Sequence, residues 1–323
     1  MRPIAIASFV AALAGLGGAQ VALAQAYPAR PVRLVVPYAA GGPVDIVGRI
    51  VAQKLSEVFH QQVIVDNRAG GGGNIALEIV ARSAPDGYTL LMGANGVIAI
   101  NPSLYKTMPV DTQKDFAPVS LVASSPMILV VHPSVAAGSV KDLIALARAK
   151  PGAVTYASSG SGSTAHLSSE LFKSMAKIDM LHVPYKGAGP ALTDLVGGQV
   201  QIMFTGVSST LPFVKSGKLK ALAVSSEKRL PLMPDMPTVA ETLPGYEVLT
   251  WYGVFAPAAT PRPVVDRLNA TIAQSFATAD AKAKLAALGA DAQTNTPQEF
   301  AQAVKRETAK WAKIVKESGA RAE

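Results

Sequence analysis

The sequence predicts an α/β fold with largely parallel sheets, divided into two lobes. Short runs rich in β-branched residues alternate with segments whose apolar residues recur at helical spacing. A strand, a loop of small residues and a helix occur twice, as VRLVVPYAAGGPVDIVGRI from residue 32 and as AVTYASSGSGSTAHLSSEL from residue 153. The length supports two units, because 297 of the 323 residues remain once the first 26 are set aside, and a domain usually holds roughly 100–200 residues.

The first 26 residues have the three-part pattern of a secretory signal. Arg2 supplies a cation, an alanine-rich apolar run follows, and A-x-A occurs at Ala22–Ala24 and at Ala24–Ala26. Three glycines and a glutamine interrupt the run, which makes it a poor membrane anchor. We therefore predict export of the protein, cleavage after Ala26 and a mature chain that begins at Tyr27.

The first series of elements begins with the strand Val32–Tyr38, which the glycine pair of AAGGP ends. The next helix has a 3.6-residue apolar period. Its stripe consists of Ile46, Val47, Ile50, Val51, Leu55 and Val58. After it we predict the strand QVIVDN, a turn at Gly70–Gly73, a helix over about Ile75–Ser83 and the strand YTLLMG.

The second series begins at the strand MILVVHP. It continues with the helix VKDLIALARAK, the strand AVTYAS, the Ser-Gly loop and the helix after that loop. MLHVPY is predicted as a strand, GPALTDLVGG as a helix that ends at glycine, and VQIMF and LKALAVS as strands. The proline-rich stretch Leu230–Pro244 is predicted to be a loop. The C-terminal part is mainly helical, and Thr296 with Glu299 forms a capping box at the start of the last helix.

Composition and spacing argue against several functions. The chain has no cysteine, which excludes disulfides, iron–sulfur clusters and thiol catalysis. The four histidines lie far apart without an H-x-x-x-H pair, so no metal site is expected. The net charge of +8 comes from scattered cations, and no RNA-binding aromatic motif accompanies them, so we expect no nucleic-acid partner. No cofactor is predicted either.

The Ser-Gly loop fits three hypotheses. Residues 160–165 match the G-x-G-x-x-A pattern of a dinucleotide site. The acid that should end the next strand is missing there, because Asp179 precedes that strand. A nucleophilic Ser163 with His166 as its base would need a third group to orient the base, and the G-x-S-x-G frame is absent. Both enzymatic readings are therefore weak.

The third hypothesis is an anion site, in which backbone N–H groups and hydroxyls hold a carboxylate at a helix N-terminus. If Ser163 or Thr164 is the N-cap, the first turn carries no acid before Glu170, so its N–H groups are not neutralised by a side chain. His166 would lie in this first turn and stay neutral, because the positive helix end disfavours its charge. A plain connection remains the alternative, as for most glycine-rich loops.

The loop of the first series has a similar arrangement. Gly42 can be the N-cap and Pro43 the first helical residue, which puts Asp45 at the third position. Asp45 would then accept a hydrogen bond from the Gly42 N–H, as in a capping box. The alternative is that it accepts one from a ligand or a bridging water. Each lobe would thus present a helix N-terminus to whatever lies between them.

The chain contains, in this order, the segments YPARPVRLVVPYAAGGPVDIVGR, VDNRAGGGGNIALEIVARSAPDGYTLLMG, SSGSGSTAHLSSELF and HVPYKGAGPALTDLVGGQVQIMF. Together they resemble the Bug/TctC family, the periplasmic receptors of tripartite tricarboxylate transporters. The resemblance implies a type II periplasmic binding protein fold, with one lobe made of residues 27–126 and 250–323 and the other of residues 127–249. A ligand cleft between the lobes would close like a Venus flytrap.

The resemblance further implies a monomer without catalytic activity. Its ligand would be a small carboxylate, and its partner a membrane permease made of a large and a small subunit. A sensory receptor that reports a carboxylate to a signalling protein would use the same cleft, and it is the alternative function.

The resemblance also implies which residues hold the ligand, through backbone groups of the two loops and bridging waters. In the first lobe they are Tyr38, Ala40, Gly41, Gly42, Asp45, Asn95 and Gly96. In the second lobe they are Ser159, Gly160, Ser161, Gly162, Ser163, Thr164 and His166, with Tyr185 and Lys186 as further candidates. Thr205 stands where the family often has an acid, which argues against an amino-acid ligand.

Overall fold

The structure is a computed structural model that describes residues 27–318 and 320–322. The predicted signal segment, residues 1–26, lies outside the described residues. The strands are β1 (Val32–Val36), β2 (Val63–Asn67), β3 (Thr89–Ala94), β4 (Phe116–Val131), β5 (Thr155–Ser158), β6 (Leu181–Pro184), β7 (Ile202–Gly206), β8 (Lys220–Val224), β9 (Leu249–Pro257) and β10 (Asp291–Ala292). The helices are α1 (Pro43–Phe59), α2 (Asn74–Ala81), α3 (Asn101–Leu104), α4 (Val140–Ala149), α5 (Thr164–Ala176), α6 (Ala188–Val196), α7 (Val207–Lys215), α8 (Arg262–Ala277), α9 (Ala279–Ala286) and α10 (Pro297–Ser318).

The strands of the described residues form one continuous sheet with the main order β2-β1-β3-β9-β4-β7-β5-β6. β1 pairs in parallel with β2 and β3, and β5 pairs in parallel with β6 and β7. β4 and β9 are antiparallel to each other and to the strands beside them. The expectation of largely parallel sheets is therefore wrong for the middle of the molecule, because β4 leads out of one half and β9 leads back into it.

The long strand β4 joins the two halves of the sheet. Its residues 116–126 pair with β9, whereas Met127–Val131 pair with β7 and β8. The change of partner falls after Pro126, whose partner Leu249 is the first residue of β9. We keep the names first lobe and second lobe for residues 27–126 with 250–323 and for residues 127–249.

The helices pack against the strands with apolar stripes that the sequence largely predicts. In α1 the residues Val47, Val51 and Leu55 are buried, but Val58 is 38% exposed and Phe59 is buried instead. Glu299 at the start of α10 forms the predicted capping box, since its N–H donates to the Thr296 hydroxyl at 3.2 Å and its carboxylate accepts from the Thr296 N–H at 2.9 Å. Apolar burial of such stripes is the main source of helix stability.

The structure also contains elements that the sequence did not predict. They include β9, β10, the first part of β4, α7, and the helical stretch Gly96–Ile100 with α3. Within the described part of the chain, no helix is long and apolar enough to cross a membrane.

Candidate functional site

The loop before α1 is held in place by a buried carboxylate. Gly42 is the extended N-cap of α1, and the Asp45 side chain is only 3% exposed. Asp45 accepts hydrogen bonds from the Gly41 N–H, from Arg49 Nε and from Asn67 Nδ2, each at 3.0 Å. The predicted bond from the Gly42 N–H is therefore wrong by one residue. Burial alone would raise the pKa of Asp45, but the three hydrogen bonds hold that pKa below its usual value.

The loop before α5 is held by its own cap. Ser163 is the N-cap of α5, and its Oγ accepts the His166 N–H at 3.3 Å. The Gly162 N–H donates to Nδ1 of the His166 ring at 3.2 Å. Gly160 and Gly162 have φ angles of +125° and +86°, which glycine adopts without strain. Ser163 and the His166 ring thus have separate backbone partners, and they shape the loop rather than form a nucleophile and base.

The His166 ring belongs to a buried stack. It lies over His182 with ring centroids 4.2 Å apart, and His182 lies over Tyr156 at 4.8 Å. Ser158 Oγ is 2.6 Å from His182 Nε2. Burial, and secondarily the charge of Lys173, lower the pKa of His166 to about 4. The ring is therefore neutral as predicted, mainly through burial, and only a neutral ring can accept the N–H of the loop.

A cavity lies where the two lobes face each other. The cavity is partly open to solvent, and the part that the centres of water-sized molecules can occupy is about 40 Å³. The hydroxyl-bearing residues that line it are Tyr38, Ser159, Thr164, Thr205, Thr250 and Tyr252. The remaining lining comes from Gly42, Pro43, Val44, Ala94, Met127, Ala165 and Ala188. None of the described residues that line the cavity is charged, and within the described chain no cluster of His, Asp or Glu could hold a metal ion.

Three helix N-termini converge on this cavity. Residues Gly42–Val44 belong to the start of α1, Thr164 and Ala165 to the start of α5, and Ala188 to the start of α6. Among the described residues, no side chain caps α1 or α6. The first N–H groups of a helix have no acceptor within the helix, and they carry the positive end of its dipole. The starts of α5 and α6 therefore give the cavity wall positive potential without a cationic side chain, whereas the buried Asp45 carboxylate in the first turn of α1 offsets the potential there.

Only four of the predicted ligand residues line the cavity, namely Tyr38, Gly42, Ser159 and Thr164. Asn95 is fully buried, and both ends of its amide have protein partners. Its Nδ2 donates to the Leu249 carbonyl at 2.9 Å and its Oδ1 accepts from Thr164 Oγ1 at 2.8 Å. Asn95 thus links a cavity residue of the second lobe to the start of β9.

Tyr185 and Lys186 are not among the cavity-lining residues. The Tyr185 hydroxyl donates to Asp194 at 2.7 Å, within the second lobe. Lys186 is exposed, and only its backbone carbonyl takes part in a contact between lobes, as the acceptor for the Ala39 N–H at 3.1 Å. Both residues border the cleft rather than form its wall.

The seam where the two lobes touch contains six more of the predicted residues: Ala40, Gly41, Gly96, Gly160, Ser161 and Gly162. Gly96 is buried beside Gly162, and a Cβ on it would lie 3.2 Å from the Gly162 carbonyl oxygen. The Ser161 carbonyl accepts a hydrogen bond from Tyr105 Oη at 2.9 Å. The Ala40 carbonyl faces Gly189, where a Cβ would lie 2.3 Å from it. Residues of the two lobes are therefore in direct contact along this seam.

Sequence reasoning missed part of the cavity wall. The start of α6 was missed as a site although it has the same signal as the other two loops, a run of small residues before an apolar helix. Thr250 and Tyr252 lie on β9, which was not predicted, so no local signal pointed to them. Thr205, the residue that argues against an amino-acid ligand, is buried and lines the cavity.

Comparison with known proteins identifies relatives along most of the chain. The family described as "Tripartite tricarboxylate transporter family receptor" matches residues 47–320. A UPF0065 protein from the tcbD-tcbE intergenic region of a Pseudomonas species is 42% identical over 294 residues, covering 90% of this chain and 87% of that protein.

Solved structures give the same picture. Rpa4515 of R. palustris, solved with adipate, has a TM-score of 0.90 and 40% identity, covering 92% of this chain and 100% of its own. The periplasmic binding protein BugD has a TM-score of 0.88 and 35% identity, covering 92% of this chain and 100% of its own. MatC of Rhodopseudomonas palustris, solved with malate, has a TM-score of 0.86 and 34% identity, covering 90% of this chain and 100% of its own.

Proposed function

Because this chain belongs to the tripartite tricarboxylate transporter receptor family, we propose that it captures a small carboxylate between its lobes and delivers it to the permease of a tripartite transporter. The family and its solved members are periplasmic solute-binding receptors rather than enzymes, and the chain shares their fold. The carboxylate, the permease and the export of the chain by residues 1–26 are the parts that we propose.

The observation that carries the ligand class is the convergence of three helix N-termini on a cavity without charged walls. An anion there gains from the N–H groups and dipoles of α5 and α6, whose first turns carry no acid, each worth about 0.3–1 kcal/mol and up to about 2 when partly buried. The described lining residues include no carboxylate to pair with a cation or an ammonium group. The ring of hydroxyls around the cavity can accept from or donate to the rest of the ligand.

The two predicted lobes supply the closing motion in this proposal. The chain crosses between them at Pro126–Met127, where β4 changes partners, and again at Leu249–Thr250, at the start of β9. Two extended crossings can act as hinges, because a small change in backbone angles there moves each lobe as a body. Rpa4515 and MatC were solved with adipate and malate, so dicarboxylates are the first candidates for this chain.

A thermal-shift screen of the mature chain tests the ligand class. Adipate, malate, citrate and simple monocarboxylates are compared, and adipamide, which has the shape of adipate without charge, is the matched control. A ligand with a dissociation constant near 1 μM, about −8 kcal/mol, should raise the unfolding temperature clearly at millimolar concentration. If adipamide stabilises as well as adipate does, or no acid stabilises the chain, the carboxylate proposal is wrong.

Uptake by living cells tests delivery and export. Deletion of the gene should abolish uptake of the radiolabelled acid found in the screen, and the full-length chain should restore it. A version that starts at Tyr27 after an initiator Met should fail to restore uptake, since it lacks the proposed signal. Normal uptake in the deletion strain would contradict the transport role.

A further inference from the structure

One contact between the lobes lies beside the cavity and does not belong to its wall. Tyr105 follows α3 in the first lobe, and its hydroxyl donates to the Ser161 carbonyl of the second lobe at 2.9 Å. Tyr105 is half-buried and is not one of the residues that line the cavity. A ligand in the cavity therefore does not contact this hydroxyl, yet the hydrogen bond can form only when the lobes meet.

Gly72 makes the room for this contact. A Cβ on Gly72 would lie 2.2 Å from Tyr105 Oη and 2.4 Å from the Ser161 carbonyl oxygen, both far too close for any side chain. Its φ of +63° is also one that glycine adopts readily. Because Gly72 has no side chain, the Tyr105 hydroxyl and the Ser161 carbonyl can approach each other beside its backbone.

Hydrogen bonds within the first lobe hold Gly72 and the start of α3 in position. The side-chain amide of Asn101 donates to the Gly72 carbonyl at 3.1 Å and to Asn74 Oδ1 at 2.7 Å. Asn101 itself is fully buried at the start of α3, four residues before Tyr105. These bonds lie within the first lobe, so they do not depend on the position of the second lobe. They hold Gly72 where the Ser161 carbonyl approaches it.

We propose that Tyr105, seated over Gly72, is a closure latch: it stabilises the closed form of the receptor through the Ser161 carbonyl without contacting the ligand. This inference rests on the proposed function, because it concerns how tightly a captured ligand is held. The apparent affinity of a closing receptor includes the equilibrium between its open and closed forms. Removing the latch therefore weakens every ligand by the same factor and speeds release, leaving the order of preference unchanged.

The test replaces Tyr105 by phenylalanine, which keeps the ring and removes the hydrogen bond. Calorimetric titration with each acid that stabilises the chain should show affinities lower by roughly threefold to tenfold, in the same ratio for every acid. Tyr27→Phe is the matched control, since the Tyr27 hydroxyl also donates to a backbone carbonyl, that of Gly87, but within one lobe. It should leave the affinities unchanged.

A second measurement does not depend on any ligand. The natural chain has no cysteine, so one exposed cysteine introduced in each lobe can carry a spin label, and pulsed EPR then reports the distance between the lobes. Tyr105→Phe should shift the distance distribution toward the open form, while Tyr27→Phe should leave it unchanged.

The outcomes separate the latch from the proposed function. Unchanged distances and unchanged affinities in Tyr105→Phe overturn the latch, and so does a loss that differs strongly between ligands, since that would mean direct contact. If no carboxylate binds the natural chain but the distances shift, the latch stands and the proposed ligand class fails.

Discussion

Gly189 offers a way to block closure while leaving each lobe intact. It is the second residue of α6, and its backbone angles are ones that any residue can adopt, so alanine fits the helix and favours it by up to about 1 kcal/mol. A Cβ at this position would nevertheless lie 2.3 Å from the Ala40 carbonyl oxygen of the first lobe. The methyl group of Gly189→Ala therefore clashes with the first lobe and not with the second lobe, to which residue 189 belongs.

The size of the effect follows from this distance. Moving from 2.3 Å to an ordinary contact of 3.4 Å requires the lobes to separate by about 1 Å at the seam, because the atom in the way is backbone. Overpacking of this kind costs about 1–3 kcal/mol. Since the cost falls on the closed form alone, the apparent affinity should drop by roughly fivefold to 150-fold.

The drop in apparent affinity is measured by thermal unfolding with and without the acid that stabilises the natural chain most. The unliganded Gly189→Ala protein should be as stable as the natural chain or slightly more stable. A ligand at 100 times the natural dissociation constant stabilises by about 2.7 kcal/mol, and a hundredfold weaker affinity reduces this to about 0.4 kcal/mol. Gly197→Ala, at the other end of α6, is the control, because its Cβ would meet Thr193 O at 3.4 Å and Asp194 O at 3.6 Å, both ordinary contacts within the same helix. Full ligand stabilisation of Gly189→Ala would refute the role of the seam.

Three further changes test the cavity and its supports. Ala165→Asp puts a negative charge into the cavity wall and should abolish acid binding in calorimetry, whereas Ala165→Asn, of equal size, should retain part of it; equal losses would mean that size alone matters. Asp45→Asn removes a charged acceptor of three hydrogen bonds and should lower the free energy of unfolding in urea by about 1–3 kcal/mol; an unchanged midpoint would contradict that support. Because burial lowers the pKa of His166 in the folded chain to about 4, the unfolded chain binds protons first, and stability should fall as the pH drops from about 6.5 toward 4. His166→Gln should flatten this fall, and identical pH profiles would contradict the assignment.

Sequence patterns predicted those strands and helices whose formation depends on neighbouring residues in the chain. Strand, loop and helix repeat in β1 with α1 and in β5 with α5, and their periodicity and caps lie within the units themselves. β4 and β9 were missed in part because their pairing joins residues about 130 positions apart, as between Ala123 and Tyr252. The helix α7 carries Pro212 in its interior, which opposes a helix prediction and is tolerated here by packing.

In the candidate site, too, local features were predicted, whereas contacts between residues distant in sequence were not. Ser163 as a cap of α5 follows from the residues beside it, and the structure agrees. Asp45 accepts from Gly41 rather than from Gly42, and Arg49 with Asn67 of the neighbouring strand β2 also bonds this carboxylate. Arg49 lies four residues after Asp45 and so follows a local helix rule, but no local rule contains Asn67. The same holds for Asn95, whose two partners lie 69 and 154 residues away.

The cavity wall has no charged side chain among the described residues, and hydrogen bonds join the two lobes at the seam. Together these two features explain how a receptor of this kind can release its ligand. A buried guanidinium paired with the ligand would add several kcal/mol that must be overcome at release, because separating a buried ion pair leaves an unpaired charge. Helix termini and hydroxyls hold an anion more weakly. The bonds from Tyr105 to Ser161 and from Thr164 to Asn95, at about 0.5–1.5 kcal/mol each, are then of the same order as the direct contacts to the ligand. Under the proposed function, a permease that separates the lobes would break these bonds and so lower the affinity without contacting the ligand.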